Sequence, residues 1–307
     1  MLRDPILILD EPAVQRLLHF PDLIPAMSRA LADLSAGRVV QPVRVVLPVA
    51  PFQGYLGVMP AYAGALGAKL VTFYPQNEGL PTHHAVILLF RPETGQPIAV
   101  MDGRLITEMR TAAASAVATQ RLARPDASVL AILGTGVQAR GHLEALRLVR
   151  PFREVRVWSP RNSQAFAERH GVKATATPEE AVRGADVVVV ATSAQVPVLC
   201  GRWLSPGTHV NAIGAVRPEW RELDDELLTV ARLYVESREA AGHESGDVIA
   251  APAVEAELGE VILGDHPGRR SAEEITLWKS VGVGVEDVAA AALVYQAHQQ
   301  LSSSQPS

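Results

Sequence analysis

The hydrophobic positions change rhythm along the chain. Between 10 and 36, Leu17, Leu18, Ile24, Met27, Leu31 and Leu34 recur near helical spacing, and Gly37 stops the run. That spacing predicts a helical N-terminal segment. From about 42 to 103 the apolar runs shorten to VRVVLPV, GYLGVMPAY, AKLVTFYP, HAVILLF and PIAVMDG. Pro, Gly and Asn separate them, as expected of strands joined by turns. RPETGQPI reads as a hairpin loop. Residues 106–123, ITEMRTAAASAVATQRLA, read as helix because alanine dominates.

A second regime begins near 128. SVLAIL, EVRVWS, DVVVVAT, THVNAIG and LYVES read as strands. VQARGHLEALRLV, SQAFAERHG and residues 178–183 read as helices between them. Near-continuous apolar strands alternating with helices predict a parallel sheet covered on both faces. VEDVAAAALVYQAHQQ predicts a long C-terminal helix, and the polar tail LSSSQPS is expected to be disordered. The pattern therefore predicts an α/β protein of two domains. An α+β domain covers 1–117 and a doubly wound α/β domain covers 118–286. The final segment, 287–307, is expected to pack back on the first domain.

Composition narrows the function classes. The 307 residues are 48% hydrophobic and 20% charged, which suits a globular protein. A net charge of −5, from 28 basic and 33 acidic residues, argues against a nucleic-acid partner, which would need a dense basic surface. Cys200 is the single cysteine, so no internal disulfide can form. The N-terminal MLRDPILILDEP is interrupted by Asp4, Pro5 and Asp10 and has no signal-peptide apolar stretch. No apolar run reaches membrane-spanning length. A cytoplasmic protein without membrane partner is expected.

Residues 133–140, LGTGVQAR, join a predicted strand to a predicted helix. Gly134 would make the tight turn, Gly136 would admit a pyrophosphate close to the backbone, and Ala139 would let helix and strand pack closely. The helix N-terminus supplies N–H groups and a positive dipole end. Gly134, Thr135, Gly136, Val137, Gln138 and Ala139 are thus the expected phosphate-binding segment of a Rossmann-type domain. The ribose position should lie at the end of the next strand, where the sequence reads Trp158, Ser159, Pro160, Arg161, Asn162. No acid stands there to take a 2′-hydroxyl. Ser159, Arg161 and Asn162 can instead bind a 2′-phosphate, so NADP(H) is expected in preference to NAD(H).

Three cations sit in apolar surroundings in the first domain: Arg44, Lys69 and Arg110. Taken singly, each reads as a structural ion pair. Together, with few acids nearby in sequence, they read as an anion site. A buried lysine near other cations has a lowered pKa, so Lys69 is the acid/base candidate, with a Schiff-base role left open. His83 and His84 are adjacent on a strand and face opposite sides, which disfavours a shared metal site. One of them, taken as His83, is expected to line the substrate pocket.

With these residues placed, the chain resembles the ornithine cyclodeaminase/mu-crystallin family over nearly its whole length, and its mu-crystallin (ketimine reductase) branch more than its cyclodeaminases. The resemblance rests on QPVRVVLPV, GYLGVMPAY, KLVTFY, AVMDGRLITEMRTAAASA, ILGTGVQA, GAVRPEWRELDDELL, ESGDV, AELGEVI and SVGVGVED. It implies a homodimer paired through the N-terminal sheets and an active site in the cleft between domains. It implies that Arg44 and Arg110 bind a substrate carboxylate and that Lys69 acts as acid/base. It also implies that Thr111, the loops at Thr192, Ser193, Ile213 and Gly214, and SVGVG approach the cofactor.

Two departures carry weight. Val216 stands where cyclodeaminases carry an aspartate, and a valine can neither move a proton nor pair an ammonium. The acidic ribose residue of the cyclodeaminases is absent. The mu-crystallin branch places an arginine in that loop, here offset by Pro160. The expected activity is NADPH-dependent reduction of cyclic ketimines, Δ1-piperideine-2-carboxylate or Δ1-pyrroline-2-carboxylate. Ornithine cyclodeamination, amino-acid or opine dehydrogenation, and non-catalytic NADPH binding are the alternatives.

Overall fold

The computed structural model describes residues 5–304. The chain forms two compact units, Thr111–Gly282 and a discontinuous one made of its N-terminal part, to Arg110, and its C-terminal part, from Val283. The divisions fall before the expected positions, 117 and 286.

The discontinuous unit holds a six-stranded sheet. Its strands are β1 (Leu7–Leu9), β2 (Val45–Val49), β3 (Gly54–Ala63), β4 (Ala65–Phe73), β5 (His83–Phe90) and β6 (Pro97–Asp102), in the order β1-β6-β5-β4-β3-β2. β2 to β6 form an antiparallel meander, while β1 pairs parallel with β6. β1 is too short for a period-two pattern to expose it in sequence. The expected N-terminal helix is two helices, α1 (Glu11–Leu17) and α2 (Phe20–Ser35). Leu18 and His19 are extended between them. A continuous helix would need an N–H from Pro21, which has none; in the first turn of α2 that lack costs nothing.

Alternation along β3, β4 and β5 gives the sheet two different faces. Met59, Ala61, Lys69, Val71, Ile87 and Leu89 are buried on one face. The C-terminal helix, Gly284–Ser304, packs there against β3, β4, β5 and α2. It includes Leu301–Ser304 of the tail expected to be disordered; the tail's last three residues lie outside the described ones. The opposite face carries Leu56, Leu70 and Val86, which line a hollow together with Glu11 of α1 and Arg104. β2, read in sequence as an apolar strand, is exposed: Val45, Val46 and Leu47 are 61%, 49% and 58% accessible.

α3 (Arg104–Leu122) runs from this unit into the next. There an eight-stranded sheet is built from β7 (Val129–Leu133), β8 (Glu154–Trp158), β9 (Lys173–Ala174), β10 (Val187–Val190), β11 (His209–Ala212), β12 (Arg232–Val235), β13 (Ala256–Glu257) and β14 (Thr276–Lys279). All pair parallel, in the order β13-β12-β14-β11-β10-β7-β8-β9. β7, β10, β11 and β14 are buried along their whole length, as a sheet covered on both faces requires. The connecting helices are α4 (Val137–Arg147), α5 (Ser163–His170), α6 (Pro178–Val182), α7 (Asp225–Val230), α8 (Arg238–Glu244), α9 (Gly246–Ala250) and α10 (Leu258–Leu263). From β7 the chain runs outward through β8 and β9, then returns to place β10 on the other side of β7. That reversal is the topological switch point, where open α/β sheets bind ligands.

Candidate active site

Lys69 lies mid-strand in β4, between Met59 of β3 and Ile87 of β5, and points to the face covered by the C-terminal helix. The first turn of that helix carries Glu286 and Asp287, both fully buried. Lys69 Nζ is 2.7 Å from Asp287 Oδ2. Arg110 Nε donates to Asp287 Oδ1 at 3.0 Å, and Arg110 Nη1 to Glu286 Oε2 at 2.8 Å. The N–H of Val283 also donates to Glu286 Oε2, at 3.3 Å, and the N–H of Val285 donates to Gln41 Oε1, at 2.9 Å. The helix start is thereby fixed against both the arginine and the segment leading to β2.

This corrects the expectation of cations with few acids nearby. The acids come from SVGVGVED, far along the chain but adjacent in the fold. Burial outweighs every other influence on Lys69 and draws its pKa down to about 8, with Arg110 and Arg44 adding to the fall and Asp287 resisting it. Burial alone would raise the Asp287 carboxyl, but Arg110 and Lys69 outweigh it and hold it below its ordinary value. Arg44 is half-buried and immediately precedes β2 rather than lying within it.

His83 faces the same side of the sheet as Lys69, and its ring packs on Phe73 with centroids 4.7 Å apart. Desolvation, then Lys69 and His84, lower its pKa to about 4, so its imidazole is neutral at physiological pH. His84 lines the opposite face, beside Leu70 and Thr72.

In the other unit the glycine loop sits at the switch point. Gly134 has φ +119°, a region that excludes side chains, and a Cβ there would collide with the Ala191 carbonyl at the end of β10. Its N–H donates to the Trp158 carbonyl, 2.8 Å away at the end of β8. Gly136 precedes α4 without a side-chain cap, Val137 and Gln138 form its first turn, and Ala139 is fully buried. Thr135 Oγ1 donates to Ser159 Oγ at 3.1 Å, and that oxygen accepts the Asn162 N–H at 3.1 Å. Arg161 and Asn162 are exposed in the same loop. Thr192 and Ser193 follow β10, and Ile213 and Gly214 follow β11. Thr111 is buried in α3. The structure thus gathers Lys69, Arg110, Arg44 and His83 in one unit, and the glycine loop, Ser159, Arg161, Thr192 and Gly214 along the strand ends of the other.

A segment of 6–302 matches the ornithine cyclodeaminase/mu-crystallin family profile. The chain belongs to that family. The family member ketimine reductase mu-crystallin of Mus musculus is 49% identical over 308 residues, which is 96% of this chain and 98% of that protein. Among solved structures, Thermococcus litoralis Δ1-pyrroline-2-carboxylate reductase in complex with NADH and L-proline superposes with a TM-score of 0.92 at 37% identity, covering 97% of this chain and 98% of the other. An archaeal alanine dehydrogenase dimer with bound NAD superposes at 0.89, also 37% identical, covering 98% of each chain. The family's fold, a nucleotide-binding dehydrogenase sheet, is the one described above.

Sequence reasoning missed Glu286, Asp287 and Gln41. The available signal was a pair of acids opening a helix of valine and alanine, where burial demands a cationic partner.

Proposed function

We propose that the protein is an NADPH-dependent reductase of cyclic ketimines that converts Δ1-piperideine-2-carboxylate or Δ1-pyrroline-2-carboxylate to pipecolate or proline. The observation that carries this reading is Lys69: a buried ammonium with a pKa near 8, clasped by Asp287 beside two arginines. Two of the relatives named above are a ketimine reductase and a Δ1-pyrroline-2-carboxylate reductase, and the structure of the second holds NADH and L-proline.

Arg44 and Arg110 bind the carboxylate and fix the C=N carbon in place, which removes much of the entropic barrier. Lys69 donates its proton, or a strong hydrogen bond, to the imine nitrogen. Negative charge then does not build on nitrogen as the carbon accepts hydride. A lysine at its ordinary pKa would release that proton reluctantly; here burial lowers the cost. Asp287 holds Lys69 in position and keeps it protonated at neutral pH. His83, neutral, contributes a hydrogen-bonding ring edge. A bound reduced nicotinamide nucleotide supplies the hydride. Gly134 to Ala139 would hold its pyrophosphate, Ser159, Arg161 and Asn162 its 2′-phosphate, and Thr111, Thr192, Ser193, Ile213 and Gly214 its nicotinamide half.

The dimer is part of the same reading. The sheet face bearing Leu56, Leu70 and Val86, with exposed Val45 and Leu47, offers apolar surface that a second copy would cover. We place the activity in the cytoplasm. Among the described residues no helix is long and apolar enough to cross a membrane.

The test is NADPH and NADH oxidation with the five- and six-membered imino acids, beside ammonia release from ornithine with NAD. Imine-dependent NADPH oxidation is expected. Ammonia release without imine reduction would sink the reading, and tight NADPH binding without turnover would revive the non-catalytic one.

A further inference from the structure

Behind the C-terminal ends of β10 and β11, the nucleotide-binding unit buries three ionisable side chains, Glu222, Asp247 and Lys279. Glu222 Oε1 accepts both the Thr192 N–H, at 3.1 Å, and the Thr192 hydroxyl, at 2.6 Å. The Glu222 backbone is held as well. Its carbonyl accepts the N–H groups of Val198 and Leu199 at 2.8 and 3.1 Å, and its own N–H donates to Asp247 Oδ1 at 3.1 Å. Lys279, the last residue of β14, donates to the Gly214 carbonyl and lies 3.3 Å from Asp247 Oδ2 and 3.9 Å from Glu222 Oε2. A Cβ on Gly214 would collide with the Glu222 carboxylate and the Thr192 carbonyl. Glu222 is therefore wedged between the loop after β10 and the loop after β11, at the end of the sheet where doubly wound folds bind ligands.

The charges do not balance when all three groups are ionised: two acids share one lysine. Arg221 is 3.9 Å from Asp247 Oδ1 but pairs at 2.7 Å with exposed Asp225. Asp247 Oδ1 also accepts the Leu223 N–H, at 3.2 Å, so two backbone donors converge on it. Glu222 Oε2, by contrast, is buried with no hydrogen-bond partner among the described residues. The proton that relieves the excess charge goes there. Burial, supported by Asp247, pushes the Glu222 pKa up to about 7 against Lys279 and the Thr192 bonds.

We infer that Glu222 is a positioning residue whose ionised carboxylate locks the Thr192 and Gly214 loops in the arrangement that receives the nicotinamide cofactor, so that cofactor affinity is linked to one proton. This rests on the reading of the unit as a nicotinamide-nucleotide site. Protonation turns two charge-assisted hydrogen bonds into ordinary ones and loosens the loops. Lys69 is the acid of the reaction; Glu222 touches neither imine nor hydride.

The test compares the full-length wild type with Glu222→Gln, which keeps an oxygen for Thr192 and cannot ionise. Two quantities are measured between pH 5.5 and 8.5: the Kd for NADPH and for NADH by fluorescence titration, and hydrogen-exchange protection of 192–195 corrected for intrinsic rates. The wild type is expected to bind both nucleotides about fivefold more tightly at pH 8 than Glu222→Gln does, the size of one strengthened hydrogen bond. That advantage and the extra protection at 192–195 should both vanish below pH 6. Thr192→Val removes one donor to the carboxylate and should move the midpoint of the wild-type transition to higher pH. The same pH profile in wild type and Glu222→Gln, or an unmoved midpoint in Thr192→Val, overturns the inference. Failure of the wild type to bind either nucleotide sinks the parent reading instead, and the exchange profile at 192–195 then decides the role of Glu222.

Discussion

Lys69 and Asp287 form a buried ion pair, 2.7 Å from Nζ to Oδ2, between a central strand and the first turn of the C-terminal helix. Each side chain is what makes the other tolerable inside the protein. Replacing Lys69 by alanine is expected to lower kcat at least about a hundredfold, the usual contribution of a positioned general acid. NADPH affinity should stay near wild type by fluorescence titration. Wild-type turnover in the variant would remove Lys69 from the mechanism.

The reductive reaction needs Lys69 protonated, and its pKa is about 8. The kcat for imine reduction is therefore expected to fall as pH rises through about 8. In Asp287→Asn the group that resists the lowering is gone, so the basic limb should move to lower pH. A pH–kcat profile on both proteins checks this; an unmoved limb would mean that another group sets it.

Asp287→Asn also bears on stability. The folded-state pKa of Asp287 lies below its ordinary value, so its contribution is present at neutral pH and is lost as pH falls through the folded pKa. Leaving Lys69 and Arg110 without this carboxylate should cost about 3–5 kcal/mol at pH 7, the range for breaking a buried pair. The difference between wild type and variant should shrink in acid. Urea unfolding at pH 7 and under acid conditions measures both.

Arg161→Ala should weaken NADPH binding about tenfold or more, the value of a charge-assisted hydrogen bond to phosphate, and leave NADH almost unaffected. Gly134→Ala should abolish both, because its Cβ has no space beside Ala191. Equal loss of the two nucleotides in Arg161→Ala would place the 2′-phosphate elsewhere.

Leu70 and Val86 pair across β4 and β5 on the sheet face opposite the C-terminal helix. Leu70→Glu is expected to convert a dimer to a monomer by light scattering, since a lone charge in an apolar interface finds no partner. A wild-type monomer would refute the proposed dimer.

The Rossmann-type unit was legible because its signals are local. The run SVLAIL, the glycine loop and the helix beginning at Val137 are contiguous, and each is marked by its own residues. β14 was not, because Thr276–Lys279 opens on a threonine and ends on a lysine, and its burial comes from neighbours β11 and β12. In the first unit the strands were readable, but the exposure of β2 was not: VVLPV looks the same whether buried or left apolar at an edge. Lys69, Arg44 and Arg110 were recognisable as charges in apolar settings. Their partners Glu286 and Asp287 were not, since contact between β4 and the C-terminal helix depends on the fold and on no local spacing. The triad of Glu222, Asp247 and Lys279 was hidden for the same reason.

The discontinuity of the lysine-bearing unit sets an order on the ribosome. Every segment of the contiguous unit, Thr111–Gly282, has been synthesised before Glu286 and Asp287 exist. Domains generally fold as units while the chain emerges, so the nucleotide-binding sheet can form first. Lys69 must meanwhile wait, solvated and with an ordinary amine pKa, on a sheet whose covering helix has not been made. A message truncated just before codon 286 would yield a complete nucleotide-binding unit beside a first unit whose Lys69 lacks its carboxylate partners.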